Sequence, residues 1–256
     1  MLDTMFSLKG RTALVTGASS GLGAHFAQVL ARAGASVAIG ARRADKLDAT
    51  LQKIKAEGGT AIAVSMDVTS ADSVEKALDT IEKELGTITV LINNAGVSSV
   101  QHSLKVDEDS WDFVMDTNVK GVWRVARLVA ARCAAQKLPG SIVNVSSILG
   151  LRVAFGQSTY AVSKAAVVQL SKALAMELAG KGIRVNALCP GYFSTEMNSG
   201  MLDSEKGQAM MAGTPSKRSG ELHELDGALL LLASDAGSFI TGITLPVDGG
   251  HLVGSL

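Results

Sequence analysis

Short apolar runs rich in β-branched residues alternate with longer amphipathic stretches along this chain. The runs at 12–16, 36–40, 61–65, 89–93, 141–145, 184–188 and 244–248 predict strands. Stretches with helical period lie between them, at 22–33, 45–57, 71–85, 107–137, 159–179 and 222–232. The strands are apolar at consecutive positions, without polar alternation. A sheet buried under helices on both faces requires that pattern. Strand–helix alternation therefore predicts an α/β fold, a Rossmann-like doubly wound parallel sheet of about seven strands. No linker or low-complexity tract divides the chain, so residues 1–256 are expected to form a single domain. One segment breaks the rhythm. Residues 194–219 are rich in Gly, Ser and Met and hold Met197, Met201, Met210 and Met211. An insert of this length in a compact domain is expected to be a substrate-binding loop or lid.

Composition narrows the class. The 256 residues are 47% hydrophobic and 19% charged, with a formal net charge of zero. That suits a globular domain with a substantial core. It gives no basic field for nucleic acid, and aromatics at 4% are too sparse for base-stacking platforms. Cys133 and Cys189 sit in no metal-spaced or CxxC pattern and read as reduced, buried thiols. His25, His102, His223 and His251 form no ligand grouping, so no metal site is expected, and His102 falls beside the mouth of the site discussed below. No apolar run is long enough to span a bilayer, and the first eleven residues lack the apolar core of a signal peptide. The expectation is a cytoplasmic protein without membrane or nucleic-acid partners.

The chemistry begins where the first strand ends. Thr16 runs into Gly17-Ala18-Ser19-Ser20-Gly21-Leu22-Gly23, and a helix starts there. Glycines let the backbone turn tightly and approach a pyrophosphate, while a helix N-terminus offers free N–H groups and a positive dipole end. The spacing is G-x-x-x-G-x-G, distinct from the general G-x-G-x-x-G fingerprint, and no Gly-Lys-Ser/Thr ending follows, which disfavours a P-loop. The second strand ends in Gly40-Ala41-Arg42-Arg43, where a dinucleotide site selective for NAD carries an acid for the ribose hydroxyls. A guanidinium there suits a 2′-phosphate, so NADP(H) is preferred, with Arg42 as the contact; NAD(H) remains a possible cofactor. Ser20, beside the glycine turn, adds no second positive charge. Farther on, Tyr160 and Lys164 stand four apart on a predicted helix, with Ser147 thirteen residues before the tyrosine. Positions i and i+4 share a helix face. An ammonium beside a phenol favours the phenolate, which tunes the tyrosine to pass a proton to or from a carbonyl or alcohol oxygen. Ser146 competes with Ser147, and the choice rests on that thirteen-residue spacing.

In this order, the motifs resemble those of the short-chain dehydrogenase/reductase family over residues 8–252. They are TGASSGLG at 16–23, Asp67-Val68, NNAG at 93–96, Asn118, Ser147, Tyr160 with Lys164, Pro190-Gly191 with Thr195, and DGG at 248–250. The resemblance implies Tyr160 as general acid or base and Ser147 as a hydrogen-bond donor to the substrate oxygen. It implies Lys164 as the group that lowers the tyrosine pKa and holds the nicotinamide ribose, and Asn118 as the holder of a relay water. Gly17, Ser19, Gly21, Leu22 and Gly23 would line the phosphates and adenosine ribose, Asp67 and Val68 the adenine. Asn94, Ala95 and Gly96 would run along the cofactor, and Pro190, Gly191 and Thr195 would fix the nicotinamide.

The family's pocket walls fall at Val97–Ser103, Ile148–Gln157 and from Tyr192 onward. Leu149-Gly-Leu-Arg-Val-Ala-Phe155 and Tyr192-Phe193 are largely apolar, and the methionines of the later segment add adaptable apolar surface. The expected substrate is a hydrophobic or aromatic ketone, or the matching secondary alcohol. A 3-oxoacyl thioester reductase is the alternative, with Lys137, Lys181 and Arg184 offering basic surface to an acidic carrier protein. A non-catalytic NADPH-sensing protein is a remote third, disfavoured because both Tyr160 and Lys164 are present. Members of this family are commonly homotetramers; the Ala- and Val-bearing helices at 107–137 and 159–179, and the apolar end Leu252–Leu256, suit such an assembly.

Overall fold

The computed structural model describes residues 2–195, 199–202 and 204–254. Seven parallel strands form one sheet: β1 (Thr12–Thr16), β2 (Ser36–Ala41), β3 (Ala61–Ser65), β4 (Ile88–Asn93), β5 (Gly140–Val145), β6 (Ile183–Pro190) and β7 (Thr244–Val247). Their order is β3-β2-β1-β4-β5-β6-β7. The helices are α1 (Leu2–Met5), α2 (Gly21–Arg32), α3 (Asp48–Ala56), α4 (Ala71–Leu85), α5 (Glu108–Met115), α6 (Val122–Ala135), α7 (Ser158–Leu178), α8 (Ser199–Leu202), α9 (Glu205–Ala212) and α10 (Asp226–Ala233).

Alternation within a strand explains the two cores. In β1, Ala13 and Val15 join Phe26, Leu30, Ile54 and Leu229 beneath α2, α3 and α10. Leu14 points to the other face and joins Leu78, Ile81, Val125, Val129 and Leu174 beneath α4, α6 and α7. Every β1 residue is therefore buried, which is why the strand reads as a continuous apolar run. The edge strand β7 is only half-buried and carries Pro246, which a central strand would not tolerate.

The chain leaves β1 toward β2 and β3, then crosses back to place β4 on the other side of β1. The strand order reverses there, and crevices for ligands open outside the carboxyl ends of strands at such a reversal. The long helix expected over 107–137 is interrupted. Asp116–Gly121 forms a π turn between α5 and α6. Sequence period does not reveal that extra residue per turn, and π turns concentrate at functional sites. The 194–219 segment carries two short helices, α8 and α9, instead of an open loop. Met197 and Leu256 lie outside the described residues.

Candidate active site

The glycine-rich turn is fixed from both sides. Thr16 Oγ1 accepts hydrogen bonds from the amides of Asn94 (3.1 Å) and Ala95 (3.0 Å). The Asn94 side-chain amide donates back to the carbonyls of Thr16 (3.0 Å) and Gly17 (3.1 Å). The two loops approach so closely that a Cβ on Gly17, which has φ +66°, would lie 2.7 Å from Ala95 Cα. One on Gly23 would lie 2.4 Å from Asn94 Nδ2. Glycine is required at both positions for contact, and at Gly17 for conformation as well. Ser20 caps α2 with extended backbone, and its side chain makes no capping hydrogen bond. The first amides of α2 are thus left for a ligand, and an anion there is favoured by both N–H groups and dipole.

At the far end of the same cleft, Ser147 leaves β5 with extended backbone. Its Oγ accepts the Leu149 amide (3.1 Å), leaving its proton to donate. Ser146 is spent elsewhere: its hydroxyl is buried and donates to the Lys164 carbonyl (2.8 Å). The geometry therefore favours Ser147 over its neighbour, as the spacing suggested. The Ser147 hydroxyl lies near enough to the Tyr160 phenol to favour its ionised form. Lys164 is buried; its Nζ donates to the Val145 carbonyl (2.9 Å) and lies 5.6 Å from the centre of the Tyr160 ring.

The electrostatic balance differs from the sequence expectation. Burial raises the Tyr160 pKa above its ordinary value, and the Ser147 hydroxyl only partly offsets this. Lys164 is not among the groups that lower it. The lysine itself is pulled down to about 8 by burial. In the protein without ligand, desolvation outweighs the cation's pull on the phenol.

Asn118 sits in the π turn, fully buried. Its Oδ1 accepts the Val97 amide (2.8 Å), and its Nδ2 donates to the Val97 carbonyl (2.9 Å) and Ser163 Oγ (3.0 Å). Ser163 in turn donates to the Tyr160 carbonyl (2.7 Å). The Asn118 side chain thus fixes the 97 loop and the start of α7, with one Oδ1 lone pair left over.

The two ends form one cleft of about 820 Å³. It is lined by Gly17, Ser19, Ser20, Gly21, Leu22 and Gly23, by Arg42, Asp67 and Val68, and by Asn94, Ala95 and Gly96. Ser147, Tyr160, Lys164, Gly191 and Thr195 complete the set anticipated from sequence. Asn118 and Pro190 do not line it: the first acts through Val97, and the second is a buried end residue of β6. Gly191 can abut Asp248 only without a Cβ, which would lie 2.8 Å from the Asp248 Cα. Thr195 reaches across toward Gly21, its Cγ2 3.8 Å from where a Gly21 Cβ would stand. Arg42 and Arg43 are exposed, line the cleft and form no ion pair among the described residues. The cradle of amides and the free guanidinium groups fit a dinucleotide carrying a 2′-phosphate.

Several lining residues were not foreseen. Met66, Thr69, Phe113 and Thr117 belong to the cleft. The buried Arg124, on α6, donates to the Val68 carbonyl and so fixes the strand end beside the expected adenine position. No spacing rule links positions 68 and 124. Met210 and Met211 do not line the cleft, and Met211 is buried against the protein. The apolar lining comes instead from Leu149, Ile148 and Phe193. Phe193 packs on Gly220, whose Cβ would meet its ring at 2.5 Å, and is 6% exposed. Cys133 and Cys189 are free and buried, each pushed up to about 11 by burial. Among the described residues there is no metal-holding cluster of His, Cys, Asp or Glu, and no helix is long and apolar enough to cross a membrane.

Comparison with known proteins agrees with this geometry. Residues 17–251 match a family model described as enoyl-(acyl carrier protein) reductase. The 3-oxoacyl-(acyl-carrier-protein) reductase FabG of Staphylococcus epidermidis is 38% identical over 241 residues, covering 94% of this chain and 98% of the relative. Gluconate 5-dehydrogenase of Gluconobacter oxydans is 40% identical over 250 residues, covering 97% of each. The crystal structure of a gluconate 5-dehydrogenase from Burkholderia cenocepacia J2315, in complex with NADP and tartrate, superposes with a TM-score of 0.94 at 35% identity, covering 100% of both chains. With its sheet order, its glycine-bounded cleft and its Tyr160–Ser147–Lys164 cluster, the chain belongs to the short-chain dehydrogenase/reductase family, oxidoreductases of CH–OH and C=O groups.

Proposed function

We propose that the protein interconverts a ketone and a secondary alcohol with NADP(H) as redox partner. The observation that carries this reading is the meeting of Ser147, Tyr160 and Lys164 in the cleft that also holds the glycine cradle and Arg42. The bound nicotinamide supplies or accepts a hydride at the substrate carbon. The Tyr160 phenol gives its proton to the carbonyl oxygen in reduction and takes it back in oxidation. Ser147 donates a hydrogen bond to the same oxygen and stabilises the negative charge that develops on it. Raised by burial, the phenol stays protonated at neutral pH, which suits its role as the acid. The Lys164 ammonium supports the phenolate left after transfer and holds the nicotinamide ribose hydroxyls. Asn118 and Ser163 position Tyr160 through its main chain. Arg42, aided by Arg43, selects the 2′-phosphate. Residues 194–219, with α8 and α9, serve as the substrate-side cover.

The substrate body is apolar. Leu149, Ile148 and Phe193 line the inner wall, and Val100, Leu104, Val153 and Phe155 stand exposed on neighbouring loops, His102 meeting the Phe155 ring edge-on at 5.6 Å. A 3-oxoacyl thioester reductase is the second reading, favoured by the likeness to FabG. The basic surface once assigned to a carrier protein is misplaced for it. Lys137, Lys181 and Arg184 flank the amino ends of β5 and β6, the edge opposite the cleft, and Arg184 is bonded inward to Ser234 and Ile240 carbonyls. A carrier docked there would not deliver its thioester to Tyr160. The protein assembles as a homotetramer through the faces carrying Trp111, Trp123, Val162 and Met176, all exposed in the single chain; a monomeric mass by light scattering would overturn that. The function is tested by a carbonyl panel run with NADPH and NADH in parallel. Oxidation of NADPH with apolar ketones, faster than with small polyols' ketones or acetoacetyl thioesters, is expected. Binding of NADPH with no turnover of any carbonyl would refute the reading.

A further inference from the structure

Arg152 lies five residues beyond Ser147, in the loop that leads from β5 to α7. It is half-buried, and among the described residues its side chain makes a single hydrogen bond, from Nη1 to the main-chain carbonyl of His251. No carboxylate of the described residues lies within 4.0 Å of it. The acid closest to its partner, Asp248, is already occupied: its two oxygens accept the amides of Gly250 (2.9 Å) and Leu252 (2.8 Å). A guanidinium has five donors in a fixed fork, so among the described residues the Nε and Nη2 edge of Arg152 has no partner. A half-buried cation with one neutral partner is poorly compensated. A carbonyl latch alone needs no permanent charge.

Its surroundings lead into the cleft. The His251 ring stacks on that of Tyr192 with centroids 5.5 Å apart and planes at 30°. Tyr192 lines the cleft with Tyr160. Burial raises the Tyr192 pKa and the nearby Arg152 charge partly offsets it, so the guanidinium is within electrostatic reach of that ring. Arg152 thus stands beyond the His251 and Tyr192 rings, just outside the residues that line the cleft.

We propose that Arg152 is an anchor for a carboxylate on the substrate, which is therefore an oxo acid, or the matching hydroxy acid, with an apolar body. This rests on the ketone–alcohol reading above and names the substrate class within it. A single carboxylate matches the free edge of one guanidinium in both charge and geometry, through two parallel hydrogen bonds. The carbonyl carbon then faces Tyr160 and Ser147, and the acid end is held at the rim by Arg152.

The test compares an apolar oxo acid with its methyl ester and primary amide, all assayed with NADPH. The wild-type enzyme is expected to favour the acid over the ester by about 10- to 100-fold in kcat/KM, the range of a charge-assisted pair. In Arg152→Gln that ratio falls toward one, and Arg152→Lys retains part of it. Equal use of acid and ester by the wild type, or a loss in Arg152→Gln that strikes both substrates alike, overturns the anchor and leaves Arg152 as a latch on His251. Failure of all three compounds would instead sink the ketone reading itself. Malonate and malonamide, tested as inhibitors of wild-type ketone turnover, decide the matter without any variant. Competitive inhibition by malonate at least about 10-fold stronger than by malonamide is expected, and equal inhibition contradicts the proposal.

Discussion

Lys164 gives the sharpest energetic prediction, because its burial has a calculable cost. Lys164 is 4% exposed, and among the described residues its ammonium has one hydrogen-bond partner, the Val145 carbonyl. Burial brings its pKa from 10.5 down to about 8. At ~1.4 kcal/mol per pH unit, holding the charge inside costs the folded state roughly 3 kcal/mol at neutral pH. The folded protein releases this proton near pH 8 and the unfolded chain only near 10.5, so between those values the unfolded state binds more protons. Stability tied to Lys164 therefore rises with pH across that window. Lys164→Met removes the charge and the titration together. It leaves the Val145 carbonyl unpaired, at about 1–3 kcal/mol, but that loss is the same at every pH. The Cys133 thiol and the Tyr160 phenol titrate in both proteins and drop out of the difference; Cys189, which Lys164 pulls down slightly, is pushed up to about 11 by burial and stays mostly protonated in both folded proteins over this window. Measured without cofactor, wild type minus Lys164→Met should improve by roughly 2 kcal/mol between pH 7 and about pH 9.5. For a chain of this size that is a relative Tm gain of about 4–8 °C. Parallel Tm curves over that range would show that Lys164 is not a depressed, buried cation, and the desolvation argument would fail.

Other variants probe the remaining parts. Ser147→Ala should lower kcat by about 10²-fold or more, the cost of one donor at a developing oxyanion, with cofactor Kd little changed. Replacing Arg42 and Arg43 together by Gln should erase most preference for NADPH over NADH, each lost charge-assisted bond contributing about 10-fold or more; titration of both nucleotides measures it. Gly23→Ala places a methyl 2.4 Å from both Asn94 Nδ2 and the Gly17 carbonyl, so it should weaken dinucleotide binding and lower Tm together. Unchanged affinity and Tm would mean that the cradle yields more easily than its contacts indicate.

Much of the fold was legible because burial on both faces writes itself into consecutive apolar residues. Residues 12–16 and 61–65 were bounded correctly by that rule alone, and 71–85 by its helical counterpart. The cleft was legible where chemistry demands a residue type: glycine at 17 and 23 for close approach, arginine at 42 for a phosphate, tyrosine and lysine one turn apart. Long-range partners were not. The Arg124 bond to Val68 spans 56 positions with no pattern between them. The π turn at Asn118 adds a residue to a helix without disturbing its apolar stripe. The tyrosine's electrostatics were misjudged for a related reason. Spacing shows that a cation is near, but only the packed structure shows how much water both groups have lost. The misplaced carrier surface at Lys137 and Lys181 was avoidable, since residues that precede strands must lie at the edge away from the cleft.

The central claim is that the Tyr160 phenol moves the proton. Tyr160→Phe removes that hydroxyl and keeps the ring in place. The account predicts NADPH affinity within about threefold of wild type and ketone turnover reduced by at least about 10²-fold, the scale of a general acid. Turnover that survives the substitution with normal cofactor affinity would contradict it.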